Sequence, residues 1–530
     1  EFFESSAPHI ATAVSAATRR RYIEELEKEN PELYRLYKQA KDSAEKTLEH
    51  VRTCERFPLT GQGDINTYAV FAELAYSIVA SHGRVGLLVP SGIATDHTTK
   101  EFFGGLVSEK RLIAIYDFEN KAPIFPDVHR SFKITILLFG GKDTKAVSSD
   151  FVFFAHTMAD LEDKNRHIAL TPADFKLFNP NTLTCPIFRS KRDAELTKAI
   201  YRRVPVLVDN TRKEGGNPWG IKFLRMFDQT NDAELFHTAD KLKVEGFKRD
   251  GSCWKKGKAR FLPLYEAKMI QMYDHRAASV VVTEENWMRQ GQTADTSQVQ
   301  HQNPEFVVDP RWWIHADEVR KLLESAEADG FVAYKDVTSS TNQRTMISAF
   351  IPFAGVLNSA PLMLHDKPIS VRARSCLLAN LNSIPFDFVA RQKVGGLHLN
   401  FFIVEQLPVF APDYYTARCP WEKRTTLEKW VSDRVLKLSC TSNDMIPLAE
   451  AAGFDPPVHK WNPEERADLM AQLDAAYFLM YGIKRDDVEY ILSTFNGING
   501  SGDTFFGGMG TTDRILKYYD KFAETAGHSD

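Results

Sequence analysis

The segment from Gly61 to Asp96 constrains the fold of this chain more than any other. Tyr68, Phe71, Leu74, Ala75 and Ile78 recur at helical spacing over residues 64–82, and Gly83 is placed to stop that helix. Val85 to Val89 is an unbroken apolar run, the pattern of a parallel strand covered on both faces. Pro90 to Asp96 is a loop that opens a second helix over Thr98 to Val107. Leu112–Phe118 and Phe132–Phe139 read as two further strands, joined by the loop Glu119–Arg130 rather than by a helix. The second of them is therefore expected to run antiparallel at the sheet edge. Strand–helix–strand alternation with short links argues for a doubly wound α/β sheet. The pattern is that of the back half of such a sheet, without its front half.

A length of 530 residues suggests two to four domains, and 43% hydrophobic with 26% charged residues describes an ordinary globular chain. No apolar run approaches a membrane span and no signal peptide opens the sequence, so a cytoplasmic protein without a membrane partner is expected. The net charge of -4 decides nothing about nucleic acid, because local patches do. The six cysteines form no C-x-x-C pair and read as reduced thiols; no metal site is expected. Opening on Glu1-Phe2-Phe3 rather than on Met, the chain reads as processed or truncated.

The chain divides into five stretches. Residues 1–56 read as a helical arm, with Asn30 capping a solvated helix that starts at Pro31. Residues 57–145 hold the half-sheet. Residues 146–215, broken by Pro172, Pro180, Pro186 and Pro205, read as a connector. Residues 216–410 are rich in Trp, Arg, Gln and His with short strand-like pieces, and residues 411–530 turn helical. There, Asn462-Pro463-Glu464-Glu465 starts a helix that runs through Leu469, Leu473, Tyr477 and Met480 to Gly482. The glycine-rich stretch Gly497–Gly510 reads as a loose loop.

Residues 241–260 carry eight basic and two acidic residues, with Phe247 and Trp254 interleaved. Basic residues mixed with aromatics suit a phosphate backbone, which points to Lys255, Lys256, Lys258 and Arg260. The run leads into Phe261 to Arg276. Thr338 to Ser348 is a polar, strand-like piece whose Asn342, Gln343 and Arg344 offer groups for base edges. Leu377 to Phe388, Arg391 to Asn400 and Glu405 to Pro408 follow.

In this order, the pieces resemble adenine-specific DNA methyltransferases, especially the large ones of restriction-modification and phage-defence systems of the type IIG, BREX and DISARM kinds. Pro90–Asp96 and Phe125–Phe132 match that family's later motifs. Residues 261–408 are similar to its target-recognition region and, toward the end, to the helix-and-strand close of type I specificity subunits. The resemblance implies the C-terminal half of a Rossmann-like methyltransferase sheet, an α+β target-recognition domain and a helical C-terminal region. It implies S-adenosylmethionine as cofactor, with Tyr68 and Phe71 beside it, and double-stranded DNA as partner. An adenine flipped out of the stack would meet Phe125, His129 and Phe132, where stacking is worth roughly 1–3 kcal/mol. His275, Arg276, Gln343, Arg344 and Arg391 would contact the DNA, with the lysine set on phosphates.

The sequence departs from the family at its front. The Asn/Asp-Pro-Pro-aromatic turn that holds the adenine amine and the glycine-rich turn that binds the donor are both missing. Asp455-Pro456-Pro457-Val458 lacks the aromatic residue, follows no buried strand and reads as a link between helices. Catalytic residues are expected upstream of Glu1, so this chain alone is expected to be inactive. The partners would be the missing N-terminal part or other defence-system subunits. The alternative is a non-catalytic specificity subunit acting with a separate methyltransferase or nuclease chain. A metabolic α/β enzyme is the weaker third reading, because no catalytic set is matched.

Overall fold

The computed structural model describes residues 2–13, 16–121, 124–130, 132–283, 286, 291–323, 329–495, 497–498 and 510–527. Most of the glycine-rich stretch after Gly497 lies outside them. In the arm, the Asn30 side chain accepts from the Leu33 N–H and Pro31 takes the first helical position of Pro31–Thr53. That helix buries none of its residues. Phe3, Ile10 and Leu26 form a small core of their own against the preceding helix, Ala16–Glu29.

Five strands make the first sheet: β1 (Arg84–Pro90), β2 (Leu112–Glu119), β3 (Lys133–Gly140), β4 (Ser149–Ala155) and β5 (Ile168–Leu170), in the order β1-β3-β2-β4-β5. Two expectations need correcting. β3 is antiparallel to its neighbours, but it lies between β1 and β2 rather than at the edge. Among the described residues β1 is the edge strand; it pairs antiparallel with β3, and its burial alternates instead of being complete on both faces. Val85, Leu87 and Val89 turn to the main core, while Leu88 on the other face is 55% exposed. An apolar run does not reveal whether its far face is covered, and here it is not. The sheet also continues past residue 145, because β4 runs parallel to β2 and β5 pairs with β4. The stretch read as a connector therefore supplies two of its strands.

One sheet face is packed by the helices Thr67–Ile78, Lys100–Ser108 and Pro172–Phe178. Ala72, Phe102, Phe103 and Phe175 meet Leu137, Phe139 and Phe151 there. The first helix ends at Ile78, before Gly83. On the other face Tyr116, Ile136 and Leu138 remain half-buried.

Residues 221–365 build a second core. β6 (Ile221–Leu224), β7 (Lys248–Asp250), β8 (Cys253–Lys256), β9 (Ala259–Tyr265), β10 (Ala278–Val281), β11 (Gln292–Asp295), β12 (Trp313–His315), β13 (Phe331–Tyr334), β14 (Ser348–Ile351), β15 (Gly355–Val356) and β16 (Leu362–His365) follow in chain order. They form a sheet β12-β9-β8-β7 with β15 added on β9, a sheet β14-β13-β16-β6, and the separate pair β10-β11. Leu262, Leu264, Ile314, Ala333, Ala349 and Val356 fill the space between.

The helices Val371–Asn382 and Ile384–Ala390 return to the first core, where they meet Leu427–Ser439 and Pro463–Met480. Asn462 caps the last of these, accepting from the Glu465 N–H. Asp455–Val458 lies in the link before that helix. No strand forms over 391–408; a short helix, Phe401–Val404, stands there. All six cysteines are free. No helix among the described residues is long and apolar enough to cross a membrane.

The segment Thr338–Thr345 is a loop, not the strand its composition suggested. Its conformation is set by Asp387, whose fully buried carboxylate accepts from the N–H groups of Thr345 and Met346 at 3.0 Å each. The same carboxylate pairs with Arg344 at 3.0 Å and Arg391 at 3.7 Å. Removing it strands one buried guanidinium and two amides, which costs about 3–5 kcal/mol. Asp387→Ala should therefore lower the urea midpoint with an unchanged m-value, and Asp387→Asn, which keeps an acceptor, should lower it less. An unaltered midpoint in the alanine variant would show that this carboxylate does not hold the loop.

Candidate nucleic-acid interface

Two tight hairpins shape the basic run. Gly251 and Gly257 both have φ +58°, the left-handed conformation such turns require. The register sets Lys248 opposite Lys255, and Lys255 opposite Arg260. Three cations thus form a row across β7, β8 and β9, all on the exposed face. Like charges directly opposite destabilise a sheet. Asp250 pairs with Lys255 and compensates only part of the row. Lys256 donates to the Glu245 carbonyl at 2.7 Å, and Lys258 lies exposed in the turn. All four residues expected on phosphates are exposed, with Lys256 on the aromatic side of the sheet, over Phe247. Lys248 joins them through strand pairing, which the linear run did not reveal. On the opposite face Leu242, Trp254, Phe261 and Trp313 pack together and anchor the hairpins. Arg249 lies over the Trp254 and Trp313 rings at 5.7 and 5.2 Å and pairs with Asp309 at 2.8 Å.

At the C-terminal ends of β1 and β2 lies a second group. Asn120 is buried and organises the loop after β2. Its amide donates to the carbonyls of Phe125 and Val128 at 3.0 and 2.7 Å, and its oxygen accepts from the Phe125 N–H. Phe125 is half-buried, His129 exposed, and Phe132 59% exposed. The Ser91 N–H reaches the Lys133 carbonyl, so the Pro90–Asp96 loop shares this end of the sheet. A Cβ on Gly92 would stand 2.3 Å from the Asp96 carboxylate and 3.2 Å from the Tyr68 hydroxyl, so glycine permits this approach. Burial raises the Asp96 carboxyl above its usual value, opposed by the Thr95 hydroxyl. Burial and the Asp96 charge together raise Tyr68. Phe71, on the same helix as Tyr68, is 67% exposed rather than a core residue.

A third segment adjoins these loops. Gly395 lies against Thr95 and Ile187, and the Thr338 N–H donates to the Leu397 carbonyl at 2.9 Å. Gln343 is exposed there. Arg391 holds this loop from beneath, donating to the carbonyls of Asn342 and Gln343 at 3.2 Å and stacking on Phe495. Arg344 is buried against Asp387 and the Asn382 carbonyl. Neither arginine is offered to a ligand as expected, because the cost of burying a guanidinium is met by fixed protein partners.

His275 and Arg276 also depart from expectation; both are fully buried. The Arg276 guanidinium donates to the carbonyls of Asn303, Phe306, His301 and Thr441 at 2.9–3.1 Å. His275 Nε2 lies 3.2 Å from Asp444. Beside them His301 bonds to Asp274 at 3.0 Å and stacks on Trp461 at 3.8 Å, with Arg466 on that ring at 3.7 Å. This polar knot ties the strand module to the helical region. Arg276 and Thr441 are 165 residues apart and His275 and Asp444 are 169 apart, so linear motifs could not show it. Among the described residues, no group of His, Cys, Asp and Glu is placed to hold a metal.

No family model and no curated protein matches the sequence. Solved structures similar to it include the type IIL restriction-modification enzyme MmeI in complex with DNA, with a TM-score of 0.40 and 11% identity over 90% of this chain and 55% of that one. Another is the type IIG restriction endonuclease BpuSI, with a TM-score of 0.26 and 12% identity over 82% of this chain and 52% of that one. The chain spans about half the length of each.

The knot makes stability depend on acid. Burial alone would raise the Asp274 and Asp444 carboxyls. Hydrogen bonds and charge from His301, Arg466 and His275 at the first, and from His275, Ser442 and Arg276 at the second, hold both below the usual carboxylate value. With folded pKa values depressed, their contribution is present above the ordinary range near about pH 4 and is lost as pH falls through the folded values. The urea midpoint of the wild type should fall more steeply below about pH 5 than that of Asp444→Asn. Parallel curves would remove Asp444 from the acid response.

Proposed function

We propose that this chain is the DNA-recognition portion, with part of the catalytic domain, of an S-adenosylmethionine-dependent adenine-N6 DNA methyltransferase in a cytoplasmic restriction-modification or phage-defence system. The observation that carries the DNA part is the row Lys248, Lys255 and Arg260 in register across three strands. Such a row costs the isolated fold and is relieved when a polyanion lies across it. With Lys256 and Lys258 it forms a cationic edge on a rigid, aromatic-backed hairpin.

The methyltransferase part rests on the half-sheet. Phe125, His129 and Phe132 stand beside the Pro90–Asp96 loop, where an extruded base would be met. S-adenosylmethionine would supply the methyl group. Tyr68 and the exposed Phe71 are the residues of this chain suited to border it. The glycine-rich turn that would hold the donor is not in this sequence, so no step through the donor is assigned to these residues. The open edge of β1 favours this reading over a free-standing specificity subunit, since a strand from a further polypeptide segment would continue the sheet there.

Substituting Lys248, Lys255, Lys256, Lys258 and Arg260 by alanine should weaken binding to all duplexes alike. The slope of log affinity against log salt should become shallower by up to about 4 units. Fluorescence anisotropy with two unrelated duplexes over a salt series measures both. Curves that superimpose on the wild type would remove the row from DNA binding. For catalysis, labelled methyl transfer to DNA is expected only when the chain is combined with a polypeptide carrying the glycine-rich and Asn-Pro-Pro-aromatic turns. Failure of every such combination would leave the specificity-subunit reading.

A further inference from the structure

β4 carries one residue too many for its place in the sheet. Tyr116 pairs with Val152 and Phe118 with Ala155, so Asp117 of β2 stands opposite two residues, Phe153 and Phe154. Phe151 and Phe153 turn to the main core, and Val152 and Ala155 to a small cluster on the other face. Phe154 is the residue left over. Its φ of +54° is the left-handed conformation that bulky side chains avoid. This bulge is pinned on both sides. The Phe154 N–H donates to the buried Asp117 carboxylate, which also accepts from the Ser91 hydroxyl. The carbonyls of Phe153 and Phe154 accept from Arg166 at 3.0 and 2.8 Å. Bulges recur beside active sites, where they re-aim a side chain.

The re-aimed ring gathers two cations. Lys133 Nζ lies 4.8 Å from the Phe154 ring centroid and the Arg189 guanidinium carbon 4.3 Å. Among the described residues neither cation has a carboxylate within ion-pair distance. Glu119, opposite Lys133 in register, is engaged by Lys121 at 2.7 Å and His156 at 3.2 Å. Asp117 brings negative charge near Lys133, but burial opposes its ionisation. On the other side, the buried Arg391 feels the Arg189 charge, so positive charge is in excess. The pair stands at the sheet end that carries the base loops. Lys133 directly follows Phe132, and its carbonyl accepts from the Ser91 N–H. Arg189 follows Ile187, whose N–H donates to the Gln392 carbonyl, next to Arg391, at 2.7 Å. A base drawn out of a duplex brings its own backbone phosphates within one nucleotide of its pocket. Phosphate is the anion such a pair accepts, the guanidinium as a fork and the ammonium as a point charge. Contact with the Phe154 ring orders both heads beforehand, so little side-chain freedom is lost on binding.

We infer that Lys133 and Arg189, held at the Phe154 ring, grip a backbone phosphate next to the extruded adenine. This rests on the reading above that this end of the sheet meets an extruded base. The test is binding of the full chain to two duplexes of one sequence, one fully paired and one with a single extra unpaired adenine. The proteins are wild type, Lys133→Gln/Arg189→Gln, Arg189→Gln alone and the five-residue variant of the strand row. The wild type should bind the duplex with the unpaired adenine about tenfold more tightly. The double variant should lose that preference, with a salt slope shallower by about 1 on that duplex, and Arg189→Gln should lose part of it. Both should keep the wild-type thermal melt, since Arg189 is exposed and Lys133 holds no ion pair. The row variant should weaken both duplexes alike and keep the preference. A double variant that melts as wild type and keeps the full preference overturns the clamp alone. A wild type that binds both duplexes equally overturns the clamp together with the base-extruding reading, and one that binds neither overturns DNA binding as well. A wild-type melt raised by inorganic phosphate at constant ionic strength, absent in the double variant and without any preference between duplexes, would assign the pair to a free anion instead.

Discussion

The helices Val371–Asn382 and Ile384–Ala390 are buried nearly all round, and the rest of the molecule is arranged by the need to cover them. A helix without a solvent face must be enclosed by other layers. Asn382 exchanges hydrogen bonds with the backbone of Ser348 at 2.9 Å in both directions, joining these helices to the strand module. Tyr477 donates to the Cys376 carbonyl and Asp474 accepts from the Ile384 N–H, joining them to the C-terminal helices. Thr197 donates to Gln392 just beyond them, linking the segment that follows the half-sheet. The polar residues on such helices are tolerable because each has a fixed partner, and the same bonds define one register between layers. The candidate surfaces are therefore held on a common frame rather than on independent lobes.

That frame divides the basic residues into two populations. Arg276, Arg344 and Arg391 are spent inside, where carbonyls and carboxylates of distant segments fix them. Lys248, Lys255 and Arg260 are carried outward by short strands whose opposite face is aromatic. A buried arginine held by fixed carbonyls and carboxylates serves the fold; an exposed row of two lysines and an arginine with one carboxylate beside it leaves charge to be balanced from outside. The distinction follows from strand register and burial, not from residue type, and it separates residues that sit in equally polar stretches of sequence.

For the same reason, part of the site was legible in the sequence and part was not. The order of helix, strand and loop from residue 64 to 139 was readable because each piece has its own period and punctuation, and Asn30 and Asn462 announce their helices by local chemistry. The lysines at 255, 256 and 258 were readable because a surface run of charge is itself a local signal. Arg276 misled because its partners include Thr441, 165 residues away, and nothing near it marks it as buried. β1 misled because a run of apolar residues is the same whether the strand is central or at an edge. The strand Gln292–Asp295 was missed because it has neither an apolar period nor a charge run; its pairing with β10 gives it shape.

β1 carries the argument furthest from the single chain. Native sheets blunt their edges with charge, bulges, proline or cover. β1 pairs with β3 without a register shift, its inner positions are Val, Gly and Leu, and its proline and arginine stand only at the ends. The face beyond it is apolar and half open at Leu88, Ile136 and Leu138. An edge without a partner strand beside a half-open apolar face is unfavourable in water on both counts, through unpaired backbone groups and through exposed hydrocarbon. A strand laid along β1 with a helix over that face would remove both costs together. It would also place new loops beside Tyr68, Asp96 and Phe125, at the C-terminal ends of the strands, which is where open α/β sheets bind their ligands. The least satisfied part of this sheet thus lies directly beside the segments that carry Tyr68, Asp96 and Phe125.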